Sequence, residues 1–130
     1  MAYEWVEHTG ELQLEIVATS ERGVFEEGFA AMSELLACEG GELVEHSVVL
    51  DGRDRAVLLA DWLAELPVLA ETEGLVPERL VRLELAGTRL RAHIEGRRGA
   101  PQHLVKAATY HRLTFEQTGD GWHATVVLDV

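Results

Sequence analysis

Length, composition and charge already narrow the class of protein. The chain has 130 residues, 47% hydrophobic and 26% charged, which favours one folded domain over residues 1–130 rather than a disordered chain. Its 23 acidic and 11 basic residues give a net charge of −12 at pH 7. A chain this acidic repels nucleic-acid backbones at long range, so a basic protein, a metal ion or a small ligand is the better partner.

Cysteine content and apolar segments indicate the compartment. The single cysteine, Cys38, cannot form an internal disulfide, which favours a reducing compartment. The first ten residues lack a basic segment followed by an apolar run, so we expect no signal peptide. No apolar stretch approaches the roughly 18–20 residues that span a bilayer. We therefore expect a soluble, cytoplasmic protein.

The first predicted elements are a strand and a helix. Residues 11–20, ELQLEIVATS, alternate apolar and polar side chains as a half-buried strand does. Thr19 or Ser20 then caps a helix that we expect to run to about Leu36. The apolar face of this helix comprises Phe25, Phe29, Met32 and Leu36.

A second strand and a second helix follow. HSVVLDG, residues 46–52, is typical of a short strand. A helix is predicted from about Asp54, and its apolar stripe comprises Leu58, Trp62, Leu66 and Leu69. Pro67 lies within this pattern. Because proline lacks an amide hydrogen and crowds the carbonyl four residues earlier, we expect a kink or a break there.

Two hairpins are predicted in the second half of the chain. The first turns at Gly87-Thr88, with Val81 placed on the apolar side of its first strand. Its predicted pairs are Leu83–Ala92, Leu85–Leu90 and Glu84–Arg91. The second hairpin turns at TGDG, residues 118–121. Counting along regular strands gives three pairs, Gln117–Trp122, Tyr110–Asp129 and His111–Leu128. These elements predict an α+β fold, a mostly antiparallel sheet with two helices packed on one face.

The segment EHTGE is the first candidate site. Glu7 and Glu11 offer hard oxygen ligands, which suit calcium or magnesium. The imidazole of His8 makes manganese or zinc a further possibility. The alternative interpretation is that these residues are solvent-exposed at the end of a strand and bind no metal.

The carboxyl terminus is the second candidate. Asp129 precedes Val130, so a side-chain carboxylate and the α-carboxylate lie close together and disfavour each other unless a cation offsets them. A metal ion or Lys106 would supply that charge. A frayed tail is the alternative, although the apolar run from Val126 to Leu128 indicates a packed strand.

The segment VKAATYH is the third candidate. Lys106 suits an acidic partner or a phosphate, and His111 suits a metal ligand, a proton carrier or a structural hydrogen-bonding residue. The chain lacks HExxH, GxxxxGK[ST], GxGxxG, CxxC and GxSxG motifs. We identify no nucleophile–base pair, so the sequence does not support catalysis by this chain alone.

Four segments in this order and spacing resemble the archease family: YEWVEHTGELQLE, LLADWLAEL, VKAATYH and the terminal VVLDV. The resemblance spans residues 3–130 and implies a compact α+β domain. It also implies an accessory protein, not an enzyme, that serves the RtcB-type tRNA-splicing ligase. That ligase joins RNA ends bearing a 2′,3′-cyclic phosphate or 3′-phosphate to a 5′-hydroxyl, using GTP and divalent metal. Archeases promote its guanylylation and multiple turnover.

The family resemblance also implies site residues. It assigns a divalent-metal site, calcium being the expected ion, to Glu11, Asp129 and Val130, and a functional role to Lys106. The family motif has aspartates where this chain has Glu7 and Glu11, and each glutamate moves its carboxylate by about 1.5 Å. His8, His111 and Glu7 are expected to flank the site.

Two other functions remain open from the sequence. One is a chaperone-like or scaffolding module that binds another basic protein and has lost the metal site. The other is a metal-dependent hydrolase in which His8 and His111 converge on an open metal. The sequence leaves open the oligomeric state, the ligase surface contacted and the RNA substrate, which an archease meets only through the ligase.

Overall fold

Seven strands and two helices form in residues 2–130, the part of the chain that this computed structural model describes. They are β1 Ala2–His8, β2 Glu11–Ala18, α1 Glu21–Leu36, β3 Leu43–Asp51, α2 Arg55–Glu73, β4 Leu75–Ala86, β5 Arg89–Arg98, β6 Ala107–Thr118 and β7 Gly121–Asp129. Every strand pair among them is antiparallel.

The strands form two sheets, with orders β1-β2-β7-β6 and β3-β5-β4. Helix α1 contacts β2 and β4, and α2 contacts β4 and β6, so both helices pack against both sheets. One buried cluster joins Leu14 of the first sheet, Trp62 of α2 and Ile94 of the second sheet. The α+β prediction is confirmed. The division into two sheets is new, because alternation identifies strands but not which strand edges meet.

The predicted helix starts are confirmed by their caps. The Ser20 side chain accepts a hydrogen bond from the Gly23 amide at 3.0 Å, and Asp54 Oδ1 accepts one from the Val57 amide at 2.9 Å. Helix α2 continues through the buried Pro67 to Glu73, so the break allowed at that proline does not occur. Buried neighbours on this turn hold the helix despite the missing amide. Within residues 2–130, neither helix is long and apolar enough to cross a membrane.

The β4–β5 hairpin has the predicted register near its turn, where Leu85 lies opposite Leu90 and Glu84 opposite Arg91. The placement of Val81 on the apolar side is wrong. The register shifts between Leu80 and Arg82, which leaves the Val81 side chain 42% exposed. A bulge inserts an extra residue and thereby turns the following alternation to the other face.

Candidate functional site

Strand pairing brings the two ends of the chain together. Glu11 on β2 lies directly opposite His8 on β1 and, on its other side, opposite Asp129 on β7. Residues directly opposite each other in an antiparallel sheet project from the same face. His8, Glu11 and Asp129 therefore form one row across the four-stranded sheet, near the end of its strands.

The last residues are held in the sheet. The Val130 amide donates a hydrogen bond to the Gly10 carbonyl at 3.3 Å, and the Lys106 amide donates to the Asp129 carbonyl at 2.8 Å. Val126 and Leu128 are fully buried on the helix-facing side of β7. The tail is thus a packed strand, which decides against the frayed alternative.

Strand β6 departs from regular pairing in the segment 110–113. Thr109 lies opposite Val127, whereas the next pair is Thr114 opposite Thr125. More residues of β6 than of β7 lie between these two pairs, so the strand bulges outward from the ladder.

This bulge makes two of the predicted pairs wrong. Ala107, and not Tyr110, lies opposite Asp129; the partner of Leu128 is Ala108 and not His111. The pair nearest the turn, Gln117–Trp122, is confirmed. Alternation does not show how many residues a bulge holds, so the predicted pairs are correct up to the bulge and every pair beyond it is displaced by the same amount.

Arg112, which the sequence does not identify as a site residue, contacts the candidate site. Its Nη2 donates to Glu11 Oε2 at 2.7 Å, and both side chains are partly exposed. Because β7 lies between β6 and β2, the Arg112 side chain reaches across a whole strand. Its φ of 56° is in the left-handed region, unusual for a non-glycine residue. An arginine directly after the ATYH segment was the only signal in the sequence.

The same segment contacts helix α2. Tyr110 Oη donates a hydrogen bond to Asp61 Oδ1 at 2.7 Å, and this bond raises the pKa of Tyr110. The hydroxyl groups of Thr109 and Thr114, at the two ends of the segment, are buried without a hydrogen-bond partner within the described residues. The bulge is therefore bonded to α2 through Tyr110 and to Glu11 through Arg112, two residues later.

The remaining candidates lie around this row. Lys106 is exposed and directly precedes β6, next to Asp129 through its backbone bond. His111 is exposed within the bulge. Glu7 neighbours His8 on β1 and lies opposite Leu12, so it projects from the other face of the sheet and is separated from Glu11.

Glu7 instead borders an apolar groove of about 370 Å³. The groove is lined by Trp5, Glu7, Leu12, Leu35, His103, Leu104 and Val130. The Leu104 side chain is 70% exposed at its edge. The carboxyl terminus thus has a polar row on one face of the sheet and an apolar groove on the other.

A polar network continues along the face that carries Glu11. Glu15 Oε1 lies 2.9 Å from His123 Nε2 and accepts a hydrogen bond from Thr125 Oγ1 at 3.0 Å, while Glu15 Oε2 accepts one from Gln13 Nε2 at 2.6 Å. Thr125 is itself buried, and so is Val127 on the same face. The polar network therefore surrounds a covered part of this face.

The chemistry of the row suits a hard divalent cation. Glu11, Asp129 and the α-carboxylate after Val130 are all oxygen donors, which calcium prefers. Among residues 2–130, no three His, Cys, Asp or Glu side chains are grouped so as to hold a metal ion. A cation at this row would therefore need the terminal carboxylate as its third ligand. The Arg112 guanidinium, already bonded to Glu11, would lie beside it.

Sequence comparison relates the chain to a known family. The sequence profile of the archease protein family matches residues 3–130. A protein archease of Methanosarcina acetivorans is 32% identical over 98% of this chain and 95% of its own length. A protein archease of Archaeoglobus fulgidus is 28% identical over 100% of both chains.

Solved structures agree with this relationship. A crystal structure from Thermotoga maritima, described as an archease and possible chaperone, superposes with a TM-score of 0.69 at 25% identity. It covers 96% of this chain and 94% of that chain. A solution structure of a Methanobacterium thermoautotrophicum protein gives a TM-score of 0.69 at 23% identity, covering 99% of each chain. This second likeness supports the fold alone.

Proposed function

This chain belongs to the archease family, and we propose that it activates an RtcB-type RNA ligase without catalysing a reaction itself. It promotes guanylylation of the ligase and its multiple turnover in tRNA splicing and RNA repair. The chain contacts RNA only indirectly, through the ligase. The single cysteine and this partner both fit a cytoplasmic location.

The observation that carries the proposal is the row formed by Glu11 and Asp129. Two carboxylates from distant parts of the chain lie directly opposite each other on neighbouring strands, beside a chain end held by a backbone hydrogen bond. Like charges at directly opposite positions destabilise a sheet. Arg112 offsets the charge of Glu11, and a functional requirement for negative charge at this point accounts for the second acid at Asp129.

The distribution of charge supports docking on a basic, RNA-binding ligase. The strands of the four-stranded sheet carry the acidic residues Glu4, Glu7, Glu11, Glu15, Glu116 and Asp129. Their only basic residue besides histidine is Arg112, since Lys106 lies just outside β6. The other sheet is nearly balanced, with Arg79, Arg82, Arg89, Arg91, Arg97 and Arg98 against Glu45, Asp51, Glu78, Glu84 and Glu95. Complementary charge of this kind orients and accelerates protein association.

The same row is the proposed site for a divalent cation. Glu11, Asp129 and the carboxylate of Val130 would hold it, and calcium tolerates the longer glutamate arm because its coordination shell is loose. When bound, the ion would offset the repulsion between the neighbouring carboxylates. Lys106 flanks the row and His8 belongs to it, and both adjust its charge and orient the ligase surface. His111 and Glu7 belong to the surrounding contact surface.

The test is an RNA-joining assay with excess RNA over ligase. Adding this chain should raise the number of turnovers per ligase molecule, and a carboxyl-terminal tag should abolish the gain because it removes the free α-carboxylate. The same tag at the amino terminus is the control and should preserve activation. No gain from the untagged chain would overturn the proposed function, whereas equal gain from both tagged forms would remove the carboxyl terminus from the site.

A second candidate function is a chaperone-like scaffold that binds another basic protein without a metal. The observation favouring it is the ion pair between Arg112 and Glu11, which neutralises the charge of one candidate metal ligand without any metal. Co-purification from the native host separates the two functions. Recovery of an RtcB-type ligase supports activation, and recovery of an unrelated basic protein alone supports the scaffold.

A further inference from the structure

We propose that Arg112 is a tethered cation that competes with a divalent ion for Glu11, so that the ion binds only by displacing the arginine from that carboxylate. This inference rests on the proposed cation site. It assigns to Arg112 the control of that site's affinity, a role that the acidic residues alone do not provide.

The contact occupies a carboxylate oxygen of Glu11 that a metal ion would otherwise bind. A guanidinium donates to Glu11 Oε2 at 2.7 Å, a charge-assisted hydrogen bond of normal length. An oxygen that accepts this bond has its charge offset by the guanidinium, and a divalent ion beside it would face a positive group at short range. The same contact relieves the repulsion between Glu11 and Asp129 when no ion is bound.

The backbone around Arg112 is arranged to deliver this side chain. The segment 110–113 leaves the β6–β7 ladder, and Arg112 adopts φ 56°, a conformation that glycine or asparagine would occupy with less strain. Tyr110 fixes the start of the segment through Asp61. A bulge that re-aims a side chain in this way is typical of functional positions.

Exposure makes the contact reversible. The Arg112 side chain is 44% exposed and that of Glu11 is 36% exposed, so the guanidinium can move into solvent when a stronger cation arrives. Exposed ion pairs of this kind are weak, so the arginine lowers the affinity for the divalent ion without preventing its binding. The chain would then bind the ion with lower affinity than the same carboxylates would have without the arginine.

Calorimetry of calcium binding tests the proposal with three substitutions in the full chain. Arg112→Gln removes the charge, Arg112→Lys keeps it without the forked geometry, and Arg22→Gln is the control. Arg22 is also exposed and pairs with a glutamate, Glu26 on α1, away from the site. Arg112→Gln should tighten calcium binding by about three- to tenfold. Arg112→Lys should give an intermediate value, and Arg22→Gln should match the original chain.

A spectroscopic readout separates competition from a general effect of charge. The nuclear magnetic resonance signal of the Arg112 Nε–Hε group should shift on adding calcium to the original chain, and the signal of Arg22 should not. Equal calcium affinity in the original chain and Arg112→Gln, or calcium binding without movement of the Arg112 signal, overturns the competition while leaving the cation site intact. Absence of calcium binding in every variant overturns both, and ligase activation is then judged by the turnover assay alone.

Discussion

Glu11 and Asp129 lie directly opposite each other on β2 and β7, although they come from opposite ends of the chain. Strand β7 is an inner strand of its sheet, flanked by β2 and β6. The position of the carboxyl terminus is therefore determined by hydrogen bonds on both sides, including the bond from Val130 to Gly10. Substitutions at this row should change function more than stability, because Asp129 is exposed while the residues before it are buried.

Lys106 should matter for activation and not for folding. It is the only lysine of the chain, it is exposed, and its backbone is bonded to Asp129. Lys106→Ala should lower ligase guanylylation several-fold, since it removes a positive charge beside the row, and Lys106→Arg should retain part of the effect. Arg53→Ala, at an exposed arginine before α2, is the matched control. Normal guanylylation with Lys106→Ala would show that this lysine has no functional role.

Trp62 should be a major contributor to stability. Its side chain is fully buried, its Nε1 donates to the Phe25 carbonyl at 3.1 Å, and its ring stacks on Phe29 at 5.8 Å between centroids. Trp62→Phe removes the hydrogen bond and leaves unfilled space between the helices. We expect a loss of about 2–3 kcal/mol in the free energy of unfolding, measured with urea. Trp122→Phe, at a partly buried tryptophan, should cost less; an equal cost at both positions would contradict this account.

Glu65 should make stability depend on pH. Burial raises its pKa, and the negative charge of Glu73 adds to this while His46 opposes it. Because the folded-state pKa exceeds the unfolded value of about 4.3, the folded state favours the proton and stability falls as pH rises through these two values. Glu65→Gln should therefore raise the melting temperature at pH 7 and lose this advantage well below pH 4.

The control for this effect is Glu71→Gln, because Glu71 is an exposed glutamate on the same helix. It should leave the melting temperature nearly unchanged at both pH values. A Glu65→Gln variant whose melting temperature is lower at pH 7 than that of the original chain would contradict the role assigned to burial.

Tyr110 should hold the bulge in β6. Its hydroxyl is bonded to Asp61, and Tyr110→Phe should cost about 0.5–1 kcal/mol of stability and speed hydrogen exchange in residues 110–113. The raised pKa of Tyr110 means that this stabilisation is present in full below about pH 10 and is lost as pH rises through the folded-state value. Unchanged exchange in the bulge after Tyr110→Phe would show that the hydrogen bond does not anchor it.

Local signals in the sequence determined much of the fold. Ser20 and Asp54 are good cap residues, and each begins a helix as predicted. The hairpin at Gly87 follows its alternating pattern for several residues on either side of the turn. These features depend on neighbouring residues only, which is why the sequence reveals them.

Features that depend on distant contacts were not accessible in this way. Strand β1 is not predicted from the sequence, although Tyr3 and Trp5 alternate with the exposed Glu4, because Val6 directly after Trp5 breaks the alternation. The bulges at Val81 and in 110–113 left no periodic signal. The contact between Arg112 and Glu11 depends on that second bulge, so no reading of the pattern alone would have placed the arginine in the site.

The most direct test of the central claim is guanylylation of an RtcB-type ligase in the presence of Asp129→Asn and of Asp120→Asn. Both aspartates are exposed; Asp129 ends β7 in the row, whereas Asp120 lies in the turn at the other end of the hairpin. Circular dichroism would first establish that both variants are folded. We predict that Asp129→Asn fails to stimulate guanylylation and that Asp120→Asn stimulates it as the original chain does. Full stimulation by folded Asp129→Asn would contradict the account.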